Sequence, residues 1–207
     1  MNKTHLATSE IQKALNLFRL LTKRDKYTGE HSLHVAYMAL NISKFIKGHF
    51  GKEKLFIAGL LHDVGKIKFP DYLFENYIVN SKEDYNVIKK HPYYSKKILD
   101  GCGFDKEIVQ VAYTHHERCN GSGYPLGLSE TEISIESKMI AILDSFSAIS
   151  KDRPYKKGVH SNELALTKLM ENPEQYNIEL LKIFEENITS ITNINHYEQK
   201  NVWDNWL

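Results

Sequence analysis

Apolar residues recur every three to four positions along most of this chain, the spacing of one face of an α-helix. Ile11, Leu15, Phe18 and Leu21 form a first stripe, with Thr8 or Ser9 placed to cap it. Val35, Met38, Leu40, Ile42, Phe45 and Ile46 form a second, and Leu55, Phe56, Ile57, Leu60 and Leu61 a third within 54–62. The pattern continues over 84–90, 93–99 and 106–116. The most hydrophobic segment is 133–149, which carries Asp144 toward its end, and 162–170 and 178–188 complete the regular part. No alternating stretch of useful length predicts a strand. Gly51, Gly65, Gly101, Gly103, Gly121 and Gly123 fall between stripes, as linkers do. The pattern predicts an all-α fold, a single compact helical bundle. Segment 192–207 is polar with Trp203 and Trp206, and reads equally as a frayed tail or as one docked by its tryptophans.

Composition narrows the class. The 207 residues, 42% of them hydrophobic, suffice for one sizeable core. A formal net charge of +1, with both signs interspersed, gives no general attraction to a nucleic-acid polymer or a membrane. No apolar run approaches the roughly 20 residues that span a bilayer. The first residues, MNKTHLATSEIQKAL, lack an apolar signal core. These features predict a soluble cytoplasmic protein. Cys102 and Cys119 make no CxxC pair. Cys119 follows His116 by three residues, but thiolate sites for zinc generally use more than one cysteine, which favours a packing role.

The chemistry lies in five histidines and two aspartates: His31, His62, Asp63, His91, His115, His116 and Asp144. Successive groups are separated by about one helix out and one helix back. Imidazole with carboxylate is the ligand set of manganese, iron or zinc. Seven groups exceed the needs of one ion, which suggests two ions sharing a ligand. His62 and Asp63 follow the apolar Gly59-Leu60-Leu61, where a buried carboxylate costs several kcal/mol unless paired or bound to metal. Asp144 stands among Met139, Ile140, Ala141, Ile142, Leu143 and Phe146. Alone it reads equally as a hydrogen-bonded structural acid; beside His62 and Asp63 it reads as a ligand. Lys66 falls about one turn from His62 and Asp63, placed to neutralise a phosphate oxygen, or at the surface if the helix ends at Gly65.

Four stretches, YTGEHSLHV (27–35), HDVGK (62–66), HHERCNGSGYP (115–125) and DSFSAISKDRPYKK (144–157), together resemble the HD-GYP family, a subgroup of the HD-domain metal-dependent phosphohydrolases. The resemblance covers roughly residues 12–190 in family order and spacing. It implies an HD-type helical bundle with a metal site in its centre. The catalytic domain is expected over 27–190, with a tail over 191–207; the helix over 1–26, through Leu15, Phe18 and Leu21, reads as packed on the core in preference to pairing with another subunit. By motif position, His31, His62, Asp63 and Asp144 resemble the ligands of one metal. His91, His115 and His116 resemble those of a second, with Asp63 bridging. Tyr27 stands where some members place a glutamate that recruits a third metal, so two divalent ions are expected. Iron and manganese lead, with zinc, nickel and magnesium as alternatives. Asp25 and Glu117 resemble acids that stand behind the ligands and orient them. Lys66, Tyr124, Arg153 and Lys156 resemble positions that meet substrate, Lys66 and Asp63 those that act in the reaction.

The implied reaction is hydrolysis of a cyclic dinucleotide, cyclic di-GMP foremost, to linear pGpG or on to GMP, by a hydroxide shared between the metals. Two other readings stand beside it. One is an HD-type phosphohydrolase for another nucleotide. The other is a non-catalytic module that binds a cyclic dinucleotide and signals it. The extra histidines and the GYP loop weigh against the first, and the intact ligand set with Lys66 against the second. Four positions depart from the family's usual pattern. Ser147 stands for an aspartate, His34 for an arginine, Ser95 for a glycine and Cys119-Asn120 for Trp-Asp. None removes an expected ligand. No sensor domain fits in the sequence, so control is expected from a partner, from substrate supply, or not at all, with a homodimer or a separate regulatory protein as the candidate partners.

Overall fold

The computed structural model describes residues 8–46, 51–75, 81–151 and 161–194. Among them every regular element is helical. The elements are α1 (Thr8–Arg24), α2 (Lys26–Ile42), α3 (Lys52–Leu61), α4 (Tyr72–Glu75), α5 (Lys82–Ile88), α6 (His91–Gly101), α7 (Lys106–Thr114), α8 (Ile135–Ser150), α9 (Asn162–Met170), α10 (Ile178–Glu186) and α11 (Ile188–Thr192). Short 3-10 turns occupy Val64–Lys68, Glu130–Glu132 and Pro173–Gln175. The all-α expectation holds, and the residue 162–170 stripe coincides with α9. The stripe over 106–116 ends earlier, at Thr114, because His115 leaves the helix to cap it.

Starts are set by polar caps. Asp25 accepts the amides of Tyr27 and Thr28 at the head of α2, Ser81 that of Asp84 for α5, and Asp105 that of Glu107 for α7. Ser134, Ser161 and Asn177 do the same for α8, α9 and α10. α2 lies at the centre, packed against α1, α3, α8 and α11. Gly59 lets α3 approach it closely, since a Cβ there would stand 2.9 Å from the Ala36 Cα. That approach brings the His31 turn of α2 beside the end of α3.

The core is continuous. Val35, Met38 and Ile42 of α2 meet Leu55, Phe56 and Leu60 of α3, Ile108 and Val111 of α7, and Met139, Ile142 and Phe146 of α8, all buried. Phe146 packs edge-on against Phe184 of α10 with centroids 4.9 Å apart, a geometry contributing about 1 kcal/mol beyond area burial. α1 buries Ala14, Leu15 and Leu21. No helix among the described residues is long and apolar enough to cross a membrane. Trp203 and Trp206 lie outside the described residues, as do Arg153 and Lys156.

Candidate metal centre

Three helix ends converge on one buried point. The last carbonyls of a helix have no intrahelical partner, and in three places a histidine fills that need. His62, just past α3, donates its Nδ1–H to the Gly59 carbonyl at 2.7 Å. His115, just past α7, donates to the Ala112 carbonyl at 3.0 Å. His91, at the head of α6, donates to the Ile88 carbonyl at the end of α5 at 2.8 Å. A carbonyl can only accept, so each imidazole carries its proton on Nδ1 and turns a bare Nε2 inward. The negative end of each helix also favours positive charge at the ring.

The inward nitrogens meet two carboxylates. Asp63 Oδ2 lies 3.4 Å from His62 Nε2 and 4.0 Å from His31 Nε2. Its Oδ1 lies 3.1 Å from His91 Nε2 and 4.0 Å from His115 Nε2. Asp144 Oδ1 sits 2.9 Å from His31 Nε2 and 3.8 Å from His62 Nε2, and Oδ2 sits 3.6 Å from His116 Nδ1. The seven residues fall into two groups whose ligand atoms lie within 4.8 Å of one another: His31, His62 and Asp144, and Asp63, His91, His115 and His116. Asp63 presents one oxygen to each.

These residues fit a bound cation. His91 Nε2 and His115 Nε2 stand 3.2 Å apart, each with its proton committed on the far side of the ring. Two lone pairs at that distance repel unless a positive charge lies between them. Burial, reinforced by His62 and His91, holds His115 well below the usual histidine range, which disfavours a proton on its inward nitrogen. His116 is held down for the same first reason, with His115 adding to it. His62 Nε2 and Asp63 Oδ1 are buried without a hydrogen-bond partner, a costly arrangement without an ion. Burial opposes ionisation of Asp63, but Lys66, His62 and His91 outweigh it and lower its pKa well below the usual carboxylate value. Asp144 follows suit through His31 and His116. For His62, burial opposes protonation, yet Asp63 and Asp144 prevail and raise its pKa.

A tight joint holds the two halves together. The HDVGK stretch leaves α3 as the 3-10 turn Val64–Lys68 and runs against α6. A Cβ on Gly65 would stand 2.1 Å from the His91 carbonyl oxygen, so only glycine permits this approach. Ser95, fully buried, accepts the Gly65 amide at 2.8 Å and donates to the His62 carbonyl at 2.9 Å. Its hydroxyl therefore ties the His62-Asp63 pair to the helix of His91. The turn also places Lys66 Nζ 2.5 Å from Asp63 Oδ2, turned to the site rather than the surface.

The GYP loop forms the outer wall. Tyr124 stacks on His116 with centroids 4.7 Å apart and its amide donates to the His116 carbonyl. Burial first, then Asp144 and Asp63, push the Tyr124 phenol up, so it stays protonated. Lys89 Nζ sits over the Tyr124 ring at 5.1 Å and over Tyr85 at 4.7 Å. Glu117 is buried, and its two carboxylate oxygens accept the amides of Leu126 at 2.7 Å and Leu128 at 2.9 Å. It thus fixes the loop that carries Tyr124. Asp25 fixes the start of α2, just ahead of His31.

The structure brings together all seven expected ligands and Lys66, with Tyr124 at the edge. Arg153 and Lys156 lie outside the described residues. Sequence reasoning missed the carbonyls of Gly59, Ile88 and Ala112, the joint role of Ser95, and Lys89. The only available signal for the carbonyls was that histidines follow the ends of apolar runs.

Comparison with known proteins agrees. The family profile described as HD domain matches residues 19–179. A cyclic di-GMP phosphodiesterase of Pseudomonas aeruginosa is 35% identical over 152 residues, covering 72% of this chain and 36% of that protein. A 3'3'-cGAMP-specific phosphodiesterase of Vibrio cholerae is 30% identical over 161 residues, covering 77% of this chain and 37% of that protein. The chain therefore spans little more than a third of the length of these relatives. An HDG"Y"P protein from Bdellovibrio bacteriovorus shares the fold, with a TM-score of 0.63 at 22% identity over 77% of this chain and 51% of that one. With most of its length matched by the family profile, the His-Asp pair at its centre and the GYP loop beside it, the chain belongs to the HD domain family and carries the motifs of its HD-GYP branch.

Proposed function

We propose that this chain is a metal-dependent phosphodiesterase for a cyclic dinucleotide, with cyclic di-GMP as first substrate and pGpG or GMP as product. The observation that supports it most is Asp63, which gives one oxygen to each of two histidine groups while Lys66 sits beside it. The similarity to cyclic di-GMP and 3'3'-cGAMP phosphodiesterases supports the same substrate class. We assign the catalytic unit to residues 27–190, with 1–26 as a helix packed on it and 191–207 as a tail, in a cytoplasmic protein. The burial of Ala14, Leu15 and Leu21 supports that placement of the first helix.

His31, His62 and Asp144 would hold one divalent ion and His91, His115 and His116 a second, with Asp63 bridging. Iron or manganese suits this donor set. When bound, two such ions supply Lewis acidity and an activated water near neutral pH. The chain does the rest. Lys66 places a positive charge where the phosphodiester gains negative charge in the transition state. Tyr124, protonated and stacked on His116, offers a ring face to a base or sugar and a hydroxyl to a phosphate oxygen. Arg153 and Lys156 are assigned to the substrate from sequence. The closed helical wall around Asp63 excludes bulk water and strengthens these charges.

The test is hydrolysis of cyclic di-GMP, 3'3'-cGAMP, linear pGpG and a set of mononucleotides by anaerobically purified protein supplied with Mn(II) or Fe(II). Turnover of a cyclic dinucleotide is expected. Tight retention of the ligand without turnover would replace the enzyme with a binding module. Turnover of mononucleotides alone would replace the substrate class.

A further inference from the structure

His31 differs from His62, His91 and His115 in what holds its outer nitrogen. Its Nδ1 lies 3.0 Å from the hydroxyl of Ser147 rather than from a helix-end carbonyl. The same hydroxyl lies 2.8 Å from Nδ1 of His34. His34 stands one turn after His31 on α2, and Ser147 one turn after Asp144 on α8, so the two turns that carry ligands also carry this chain of contacts. Ser147 is fully buried.

We infer that Ser147 and His34 form a hydrogen-bond relay that supports His31 in either tautomer, including the one that turns a bare Nε2 to a cation, and thereby sustains the affinity of the ion held by His31, His62 and Asp144. The inference rests on the metal reading above. A carbonyl accepts only, and so fixes one tautomer. A hydroxyl donates one hydrogen bond while accepting another, and so serves both. With His31 Nε2–H donating to Asp144 at 2.9 Å, Ser147 donates to His31 Nδ1 and accepts the His34 Nδ1–H. With His31 Nε2 given to a cation, His31 Nδ1–H donates to Ser147, whose hydroxyl then donates to His34 Nδ1. The switch conserves protons. One leaves His31 Nε2, one moves from Ser147 to His31 Nδ1, one from His34 Nδ1 to Ser147, and one is taken up at His34 Nε2.

The relay works in both directions only while His34 is neutral. Burial, then the nearby Lys151 and His31, bring its pKa down to about 3. A carboxylate at 147 accepts only and would fix the His31 tautomer as a carbonyl does. Ser147 and His34 are positioning residues: neither reaches the substrate phosphate through these contacts.

The experiment measures Mn(II) stoichiometry and the affinity of each site by chelator competition, with circular dichroism as the check on folding. The full chain is compared with Ser147→Ala, Ser147→Thr, His34→Leu and the Ser147→Ala/His34→Leu double variant. Ser147→Ala is expected to weaken one of two sites by about 10- to 100-fold, the usual range for loss of a partner behind a ligand, and to leave the other unchanged. Ser147→Thr keeps the hydroxyl and is expected to restore affinity. His34→Leu is expected to lose less, in the same site. The double variant is expected to match Ser147→Ala, because members of one relay are not additive. Unchanged affinity in a folded Ser147→Ala, an equal loss at both sites, or additive losses would overturn the relay. If the unaltered chain binds no Mn(II) at all, the metal reading fails first and the relay with it.

Discussion

The two sides of the metal centre are built by different means. On one side His62, His91 and His115 are anchored on backbone carbonyls at three helix ends. On the other, His31 is anchored on a side chain, Ser147. A carbonyl is present whatever the residue, so the first side depends on where helices stop and is insensitive to most substitutions nearby. The second changes with a single residue. The backbone-anchored side supplies fixed geometry, and the side-chain-anchored side is where a chain of this fold can be tuned.

Removing the group shared by the two ligand sets has the largest expected effect. Asp63→Ala takes one oxygen from the His31–His62–Asp144 set and one from the His91–His115–His116 set, and should release metal and lower turnover by more than the roughly 100-fold seen when only a supporting partner is lost. Elemental analysis beside a rate measurement checks it. Two retained ions with normal turnover would show that Asp63 is no bridge.

Acid should separate metal-free from metal-loaded protein. In the folded metal-free chain burial depresses His115 and His116, and brings His34 to about 3 from the ordinary value of 6.5. The unfolded chain binds protons at these rings below about pH 6.5 and the folded chain does not, so stability falls as pH falls. Each such group contributes about 1.4 kcal/mol per pH unit below that value. His62, raised by Asp63 and Asp144 against its burial, works in the opposite direction and offsets part of the loss. Denaturant midpoints at pH 7, 6 and 5 should therefore decline in the metal-free protein. A flat profile would mean these rings are not held neutral.

Smaller effects probe the joints. Gly65→Ala forces a methyl against the His91 carbonyl and should cost about 1–3 kcal/mol, read as a lower Tm, with weakened metal at the His91 side. Glu117→Gln turns an amide N–H toward one of two loop amides. It should cost about 1 kcal/mol or slightly more and raise KM through Tyr124. Metal content should stay unchanged, and loss of metal would move Glu117 from the loop to the centre.

Much of this was legible beforehand. The stripes through Val35, Phe56 and Ile142 gave the helices because a 3.6-residue period has one structural solution in a chain of this polarity. The ligands were legible because a carboxylate such as Asp63 or Asp144 has few reasons to stand in an apolar run. Supporting contacts were not. The Gly59, Ile88 and Ala112 carbonyls leave no trace in residue type, Ser95 reads only as a departure from a pattern, and Ser147 reads as a change in substrate hydrogen bonding or in the order behind the ligands without its partners being named. Their partners, Gly65 at 30 residues' distance and His34 at 113, are set by packing of α6 on the HDVGK turn and of α8 on α2. The end of the third stripe likewise hid its lesson: His62 stops α3 by taking one of its carbonyls, and the following 3-10 turn aims Lys66 at Asp63.

Anomalous diffraction from crystals of the protein loaded with Mn(II) tests the central claim most directly. The account predicts two peaks, one among His31, His62 and Asp144 and one among His91, His115 and His116, each within coordination distance of one Asp63 oxygen. A single peak that Asp63 does not touch, or no peak in the cluster, would contradict it.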